Sequence, residues 1–193
     1  MVVDPPGLPV DHRYAETSIG DDAFEELRRL TKVSCWHRAS YESDAMWQLY
    51  AGSWKGVAVL TNAERIRAAA KPFHLKPGYG HEDLWAGNVN YVDLLEERLR
   101  VNMLDRFWYK HMAFAWEREF RLAISVRMAE EYGIQVPERG IKVAFEIPQL
   151  IERIYLGPSL SEADAGAIRF AAKVHGLEDR IRVSSMLGTP RYK

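Results

Sequence analysis

Arg153-Ile154-Tyr155-Leu156-Gly157-Pro158 is the stretch on which the reading of this chain turns. Four residues with apolar side chains two apart form a short strand. Gly157-Pro158 ends it as a turn, because glycine accepts backbone angles other residues avoid and proline cannot donate to a ladder. Three residues on, Ser161 caps a helix to about His175, Gly176 stops that helix, and Ile181 to Ser184 closes the unit as a second strand. Upstream, Gly56-Val57-Ala58-Val59-Leu60 is a short apolar run with the length of a buried strand. Thr61-Asn62-Ala63-Glu64 follows as a capping box that opens a helix to Ala70.

The rest of the chain mixes the two periodicities without strict alternation. Asp22 caps a helix with Phe24, Leu27 and Leu30 on one face, followed by a strand over Lys32 to Trp36. Ser43 to Ala51 is a helix that places Met46, Leu49 and Tyr50 together, and Gly52 ends it. Residues 71–88 form a long loop with two prolines, three glycines and two histidines. Beyond it come a strand at Asn88 to Asp93, a helix over Leu94 to Tyr109, and strands at Trp116 to Val126 and Ile141 to Phe145. The expectation is an α+β fold: a single mixed-sheet domain over residues 21–187 with helices packed on the sheet, a Pro-rich extended leader at 1–20 and a tail at 188–193.

Composition agrees with an ordinary globule. The 193 residues are 47% hydrophobic and 27% charged, which excludes a disordered or collagenous chain. With 26 basic and 27 acidic side chains there is no polybasic footprint for nucleic acid or an anionic membrane. The longest uncharged stretch, Ala45 to Trp54, is far short of a membrane span. Asp4, Pro5, Pro6, Gly7 and Pro9 replace the basic and then apolar run of a secretory signal. The single Cys35 forms no internal disulfide, so the chain is expected in the cytoplasm.

The residues with chemical promise sit on the Trp116 strand. A period of two sends Glu117, Glu119 and Arg121 to one face, and Trp116, Phe120, Leu122 and Ile124 to the other, into a core. Two carboxylates roughly 7 Å apart beside a guanidinium acquire unequal proton affinities, which suits general acid/base work or stabilisation of a cationic transition state. A solvated charge ladder is the plainer reading of the same pattern. Ser34-Cys35-Trp36-His37 carries a Cys-x-His but no third, orienting group, and reads better as a small buried cysteine. His74, His81, Glu82 and Asp83 match no rigid metal-ligand spacing, so no metal site is expected. Met46, Trp47 and Tyr50 are first of all packing residues.

Taken in order, Val33-Ser34-Cys35-Trp36-His37, Glu42 to Tyr50, Gly56-Val57-Ala58, Lys110-His111, Phe114 and Trp116 to Arg121 resemble the bacterial domain-of-unknown-function family 2971. Members of that family look like Ser-Cys-Trp/Phe, Met-Trp-x-x-Tyr, Gly-Val-Ala and a final Glu-x-Glu-x-Arg. The resemblance spans residues 32 to about 186. More distantly, the pattern is similar to the ADP-ribosyltransferase layout. That likeness implies a polar nucleotide pocket, NAD being the possible cofactor, with Glu119, Glu117 and Arg121 as catalytic residues and Ser34, Trp47 and Tyr50 binding substrate. In it, Glu119 would hold a ribose hydroxyl and steady an oxocarbenium-like transition state. Family members begin with a further strand-helix-strand segment, whereas about thirty residues precede Val33 here, and His12, Arg13 and Tyr14 are the substitutes on offer. The rival expectation is a non-catalytic interaction domain of the same family. Whether the chain is an enzyme, and in what oligomeric state it works, the sequence leaves open.

Overall fold

A computed structural model describes residues 2–3, 21–93, 95–97, 102 and 105–188, and for 2–3 and 21–24 the backbone alone. In chain order the elements are β1 (Val2–Val3), α1 (Asp21–Leu30), β2 (Thr31–His37), α2 (Asp44–Tyr50), β3 (Val57–Leu60), α3 (Ala63–Ala69), β4 (Phe73–His74), β5 (His81–Glu82), β6 (Leu84–Asn88), β7 (Asn90–Val92), β8 (Tyr109–His111), β9 (Glu119–Ser125), α4 (Met128–Glu131), α5 (Ile147–Leu150), β10 (Arg153–Leu156), α6 (Glu162–Val174) and β11 (Ile181–Val183). Short 3-10 helices lie at Asp105–Trp108, Met112–Glu117 and Glu178–Arg180. The fold is α+β. No helix among the described residues is long and apolar enough to cross a membrane.

The chain divides into two units, each assembled from two separate stretches. The first comprises residues 1–38 and 72–144, the second residues 39–71 and 145–193.

The first unit is organised by a four-stranded sheet in the order β1-β6-β9-β2. β9 runs antiparallel to both neighbours, with Ala86 and Ser34 opposite Leu122, and Gly87 and Cys35 opposite Arg121. Directly paired residues share a face, so Leu84, Ala86, Leu122 and Ile124 make one apolar side, and all four are buried. Fully burying aliphatic side chains of this size is worth about 1.5–3 kcal/mol each. Buried Leu30 and Val126 extend this core at one end of the β2–β9 ladder, where the Val126 N–H donates to Leu30 O at 2.8 Å. The long loop expected over 71–88 is in fact a hairpin, β4 with β5, followed by the sheet strand β6. Leu84-Trp85-Ala86 lacks the β-branched signature of a strand, and its pairing comes from β9. Of the helix expected over Leu94 to Tyr109, residues 94, 98–101, 103 and 104 lie outside the described ones, and the described part is not α-helical but a turn at 95–96, the 3-10 helix at Asp105–Trp108 and the start of β8.

The second unit carries a three-stranded sheet, β11-β10-β3. The strand, turn, helix and strand read from Arg153 onward are all present, with Ser161 Oγ accepting from the Asp164 N–H at 3.1 Å and Gly176 at φ 66° ending the helix. Ile154 pairs with Ile181 and Val59, and Leu156 with Val183 and Val57, which gathers these residues on one face. Ala172 and Leu177 pack there on Ile154, with Ile168 and Ile151 beside them. Two expectations change. β3 is an edge strand, so Val57 and Val59 stay partly exposed instead of buried. Ile141 to Phe145 forms no strand, its single ladder contact being the Phe145 bridge to Ala70.

Candidate functional site

The Glu117-Arg118-Glu119 step is where the period-two reading fails. Trp116 and Glu117 end a 3-10 helix, and Arg118 adopts a left-handed backbone at φ 46° before β9 begins at Glu119. A left-handed non-glycine residue costs on the order of 1 kcal/mol, and here it reverses the side-chain direction between helix and strand. Both carboxylates then turn toward one point. Trp116, expected in the core, is exposed instead.

That point is the Lys110 ammonium. Lys110, on β8, donates to Glu117 Oε2 and, at 2.8 Å, to Glu119 Oε1. The other Glu119 oxygen, Oε2, accepts from Arg121 Nε at 2.5 Å, and Arg121 Nη1 also donates to the Phe107 carbonyl. The Glu119 N–H donates to the Tyr91 hydroxyl at 2.7 Å, and its carbonyl accepts from Val89 N–H at 3.0 Å. Lys110 lies over the Phe114 ring at 4.5 Å, a cation–π contact that helps keep the ammonium in place. Glu117 and Glu119 are only 6% and 8% exposed, so the solvated-ladder reading does not describe them.

Charge balance inside this cluster sets its proton affinities. Burial by itself pushes the Glu119 carboxyl up, but the hydrogen bonds that Arg121 and Lys110 donate to it outweigh burial and hold it at about 2. For Lys110 the order is the same: burial lowers, the hydrogen bonds of Glu117 and Glu119 raise, and the net direction is up. Arg121 also titrates above its ordinary value, burial again opposed by Glu119. Glu119, Lys110 and Arg121 are therefore all held in their charged forms at neutral pH.

β2 supplies the neighbours on the same face. The register sets His37 opposite Glu119 and Cys35 opposite Arg121. His37 Nδ1 donates to the Glu117 carbonyl at 2.6 Å; because a carbonyl only accepts, this nitrogen carries the proton. Nε2 is buried with no hydrogen-bond partner among the described residues. Cys35 is exposed, contrary to the buried-cysteine reading. Desolvation of its sulfur, and then the Glu119 charge, push the thiol up, with Arg121 acting the other way, so it is a weak nucleophile at neutral pH.

No family model, no curated protein and no solved structure matches this chain.

Of the residues expected to share a site, the structure brings Glu117, Glu119 and Arg121 together. Ser34 pairs with Leu122 and so faces the opposite side of the sheet from Glu119 and Arg121. Its expected place is held by Cys35 and His37. Trp47 and Tyr50 belong to the second unit. Trp47 is 4% exposed, with Nε1 donating to Glu42 Oε2 at 3.0 Å, while the other Glu42 oxygen accepts from the Ser185 N–H at 3.1 Å. Burial pushes Glu42 up, but hydrogen bonds from Ser184, Ser185 and Trp47 bring it below its ordinary value. Tyr50 and Leu49 are exposed, so the helix buries the Trp47 side and not the Met46, Leu49 and Tyr50 side. His12, Arg13 and Tyr14 lie outside the described residues. His74 and His81 pair across the β4–β5 hairpin, their ring centroids 6.3 Å apart, and no group of three metal-ligating side chains occurs among the described residues.

Lys110, Tyr91 and His37 are the members that sequence reasoning left without a role. Lys110 and His37 both stood in the stretches quoted for the resemblance, and His37 also in the Cys-x-His, which were the available signals. For Tyr91 there was none, since its hydroxyl reaches a backbone N–H that only the fold brings near.

Proposed function

We infer that the first unit binds a nucleotide of the NAD class on the sheet face that carries Glu119, and that the chain works in the cytoplasm as a domain resembling family 2971. A carboxylate only 8% exposed, held between the Lys110 ammonium at 2.8 Å and the Arg121 guanidinium at 2.5 Å, is the single observation that carries this reading. Such a group accepts a ribose hydroxyl strongly, since hydrogen bonds to a charged acceptor are about twice as strong as neutral ones. It also supplies fixed negative charge where a cation develops. In an ADP-ribosyltransferase-like reaction the bond from ribose C1′ to nicotinamide nitrogen breaks and its electron pair leaves with nicotinamide. The positive charge then passes to C1′ and the ring oxygen. A nucleophile's lone pair forms the new bond to C1′, and its proton goes to a base. In this reading Glu119 faces the cation, Lys110 and Arg121 hold it in its charged form, Glu117 anchors Lys110 beside it, and His37 is the base nearest in register.

One observation favours the rival, a non-catalytic interaction domain: both Glu119 oxygens are already engaged, by Lys110 and Arg121. A ligand hydroxyl would have to share one of those acceptors. The test is a thermal-stability screen with NAD, NADP and nucleoside phosphates. A ligand at 100 times its Kd stabilises the fold by about 2.7 kcal/mol. A shift with the dinucleotides supports the proposal; no shift with any of them at millimolar concentration favours the interaction domain.

A further inference from the structure

α6 is the longest helix among the described residues, and its outer face is exposed. At 100° per residue, Ala165, Ile168 and Ala172 point one way, and Ala165 and Ala172 are buried. Ala163, Gly166, Ala167, Phe170 and Val174 fall on the opposite side. All five are exposed, Phe170 and Val174 by 71% and 67%. The three small residues make a shallow groove, and one turn further along Phe170 stands out of the same stripe as a knob.

The charges on this helix say what fits against it. Glu162 and Lys173 lie on the same flank of the stripe, one at each end, with opposite signs. Glu162 is almost fully exposed and reaches only Arg169, at 3.9 Å, and Lys173 makes no ion pair among the described residues. A second α6 laid antiparallel about a two-fold axis between Ala167 and Ile168 brings Glu162 level with Lys173 of the other helix, twice over. The same operation sets each Phe170 level with residue 165 of its mate, over the groove of Ala163, Gly166 and Ala167. A two-fold interface has to be self-complementary in this way, groove to knob and acid to base. We propose that this chain forms a dimer through antiparallel α6 helices. It is independent of any reading of the Glu119 face.

A surface of one short helix per partner is below the size of tight complexes, so the dimer is weak and depends on concentration. Sedimentation equilibrium over a hundredfold concentration range should give a mass rising from one chain toward two. Phe170→Glu should abolish the rise at an unchanged melting temperature, since Phe170 is exposed in the single chain. Glu162→Lys and Lys173→Glu, each alone, should weaken association at least fivefold, and the double exchange should restore it. One mass at all concentrations would overturn the proposal. So would a dimer that survives Phe170→Glu, or a double exchange no better than the single ones.

Discussion

At Glu119 a single side chain concentrates what is chemically unusual in this protein. Its carboxyl titrates at about 2 in the fold against 4.5 ordinarily. A depressed folded value contributes stability that is complete above 4.5 and is lost as pH falls through 4.5 toward 2. Urea unfolding between pH 7 and pH 2.5 should therefore show stability declining over that window in the wild type. Glu119→Gln should flatten the decline. The same substitution leaves Lys110 and Arg121 short of a buried countercharge, so at pH 7 it should cost roughly 3 kcal/mol, in the range seen when one partner of a buried pair is removed. Equal pH profiles for the two proteins would contradict the network. Trp47 presents a plainer case: Trp47→Ala opens a buried cavity and strips the Glu42 carboxylate of a donor, and should cost about 3–5 kcal/mol. Tyr50→Ala, on the exposed side of the same helix, should be much milder in the same melting experiment. Chemistry at this scale was partly legible in the chain. Glu117, Glu119 and Arg121 announced themselves by type and spacing, but the convergence of the two carboxylates on Lys110 depends on the left-handed turn at Arg118, a conformation that an arginine does not favour.

Elements whose ends carry local signals were the ones that could be read in advance. From Arg153 to Ser184, caps, turn and stop residues all act within four positions of where they stand, and the structure follows them. The opening of α3 shows the limit. Thr61 is drawn away to donate to the Leu150 carbonyl at 2.6 Å, and Asn62 caps in its place, its Oδ1 accepting from the Arg65 N–H at 2.9 Å. Asn62→Ala should accordingly cost about 0.5–2 kcal/mol, and Glu64→Ala, which lost its role with Thr61, less than about 0.5 kcal/mol in paired thermal melts. A larger loss at Glu64 would restore the capping box. The turn after β10 is constrained by a different neighbour. A Cβ on Gly157 would stand 2.3 Å from the Trp54 carbonyl oxygen and 2.7 Å from that of Gly56, both backbone atoms. Gly157→Ala should destabilise by roughly 2–3 kcal/mol, as overpacking does when nothing flexible can give way. A melting temperature equal to the wild type's would show that the turn at Trp54 moves freely. Elements held by distant pairing were illegible for the complementary reason: β6 exists because β9 offers it a ladder, and β4 and β5 because they offer one to each other.

For the whole molecule, the sequence pattern conveyed the class, α+β, and not the way the chain is shared between units. It passes from one unit to the other after residues 38, 71 and 144, and nothing in composition at those points differs from an ordinary loop. The polar cluster lies in the first unit, built from strands on both sides of the segment that the second unit claims. This arrangement explains why its members are spread from His37 to Arg121, and why a local motif search meets only fragments of it. Function at this scale rests on whether the buried, ionised Glu119 meets a ligand or only its own cations. The direct measurement is calorimetric titration of NAD into wild type and Glu119→Gln at pH 7, at a temperature where circular dichroism shows both folded. The account predicts saturable binding to the wild type and at least tenfold weaker binding to the variant, a difference of about 1.4 kcal/mol or more. Equal binding to both proteins, or none to the wild type, would contradict it.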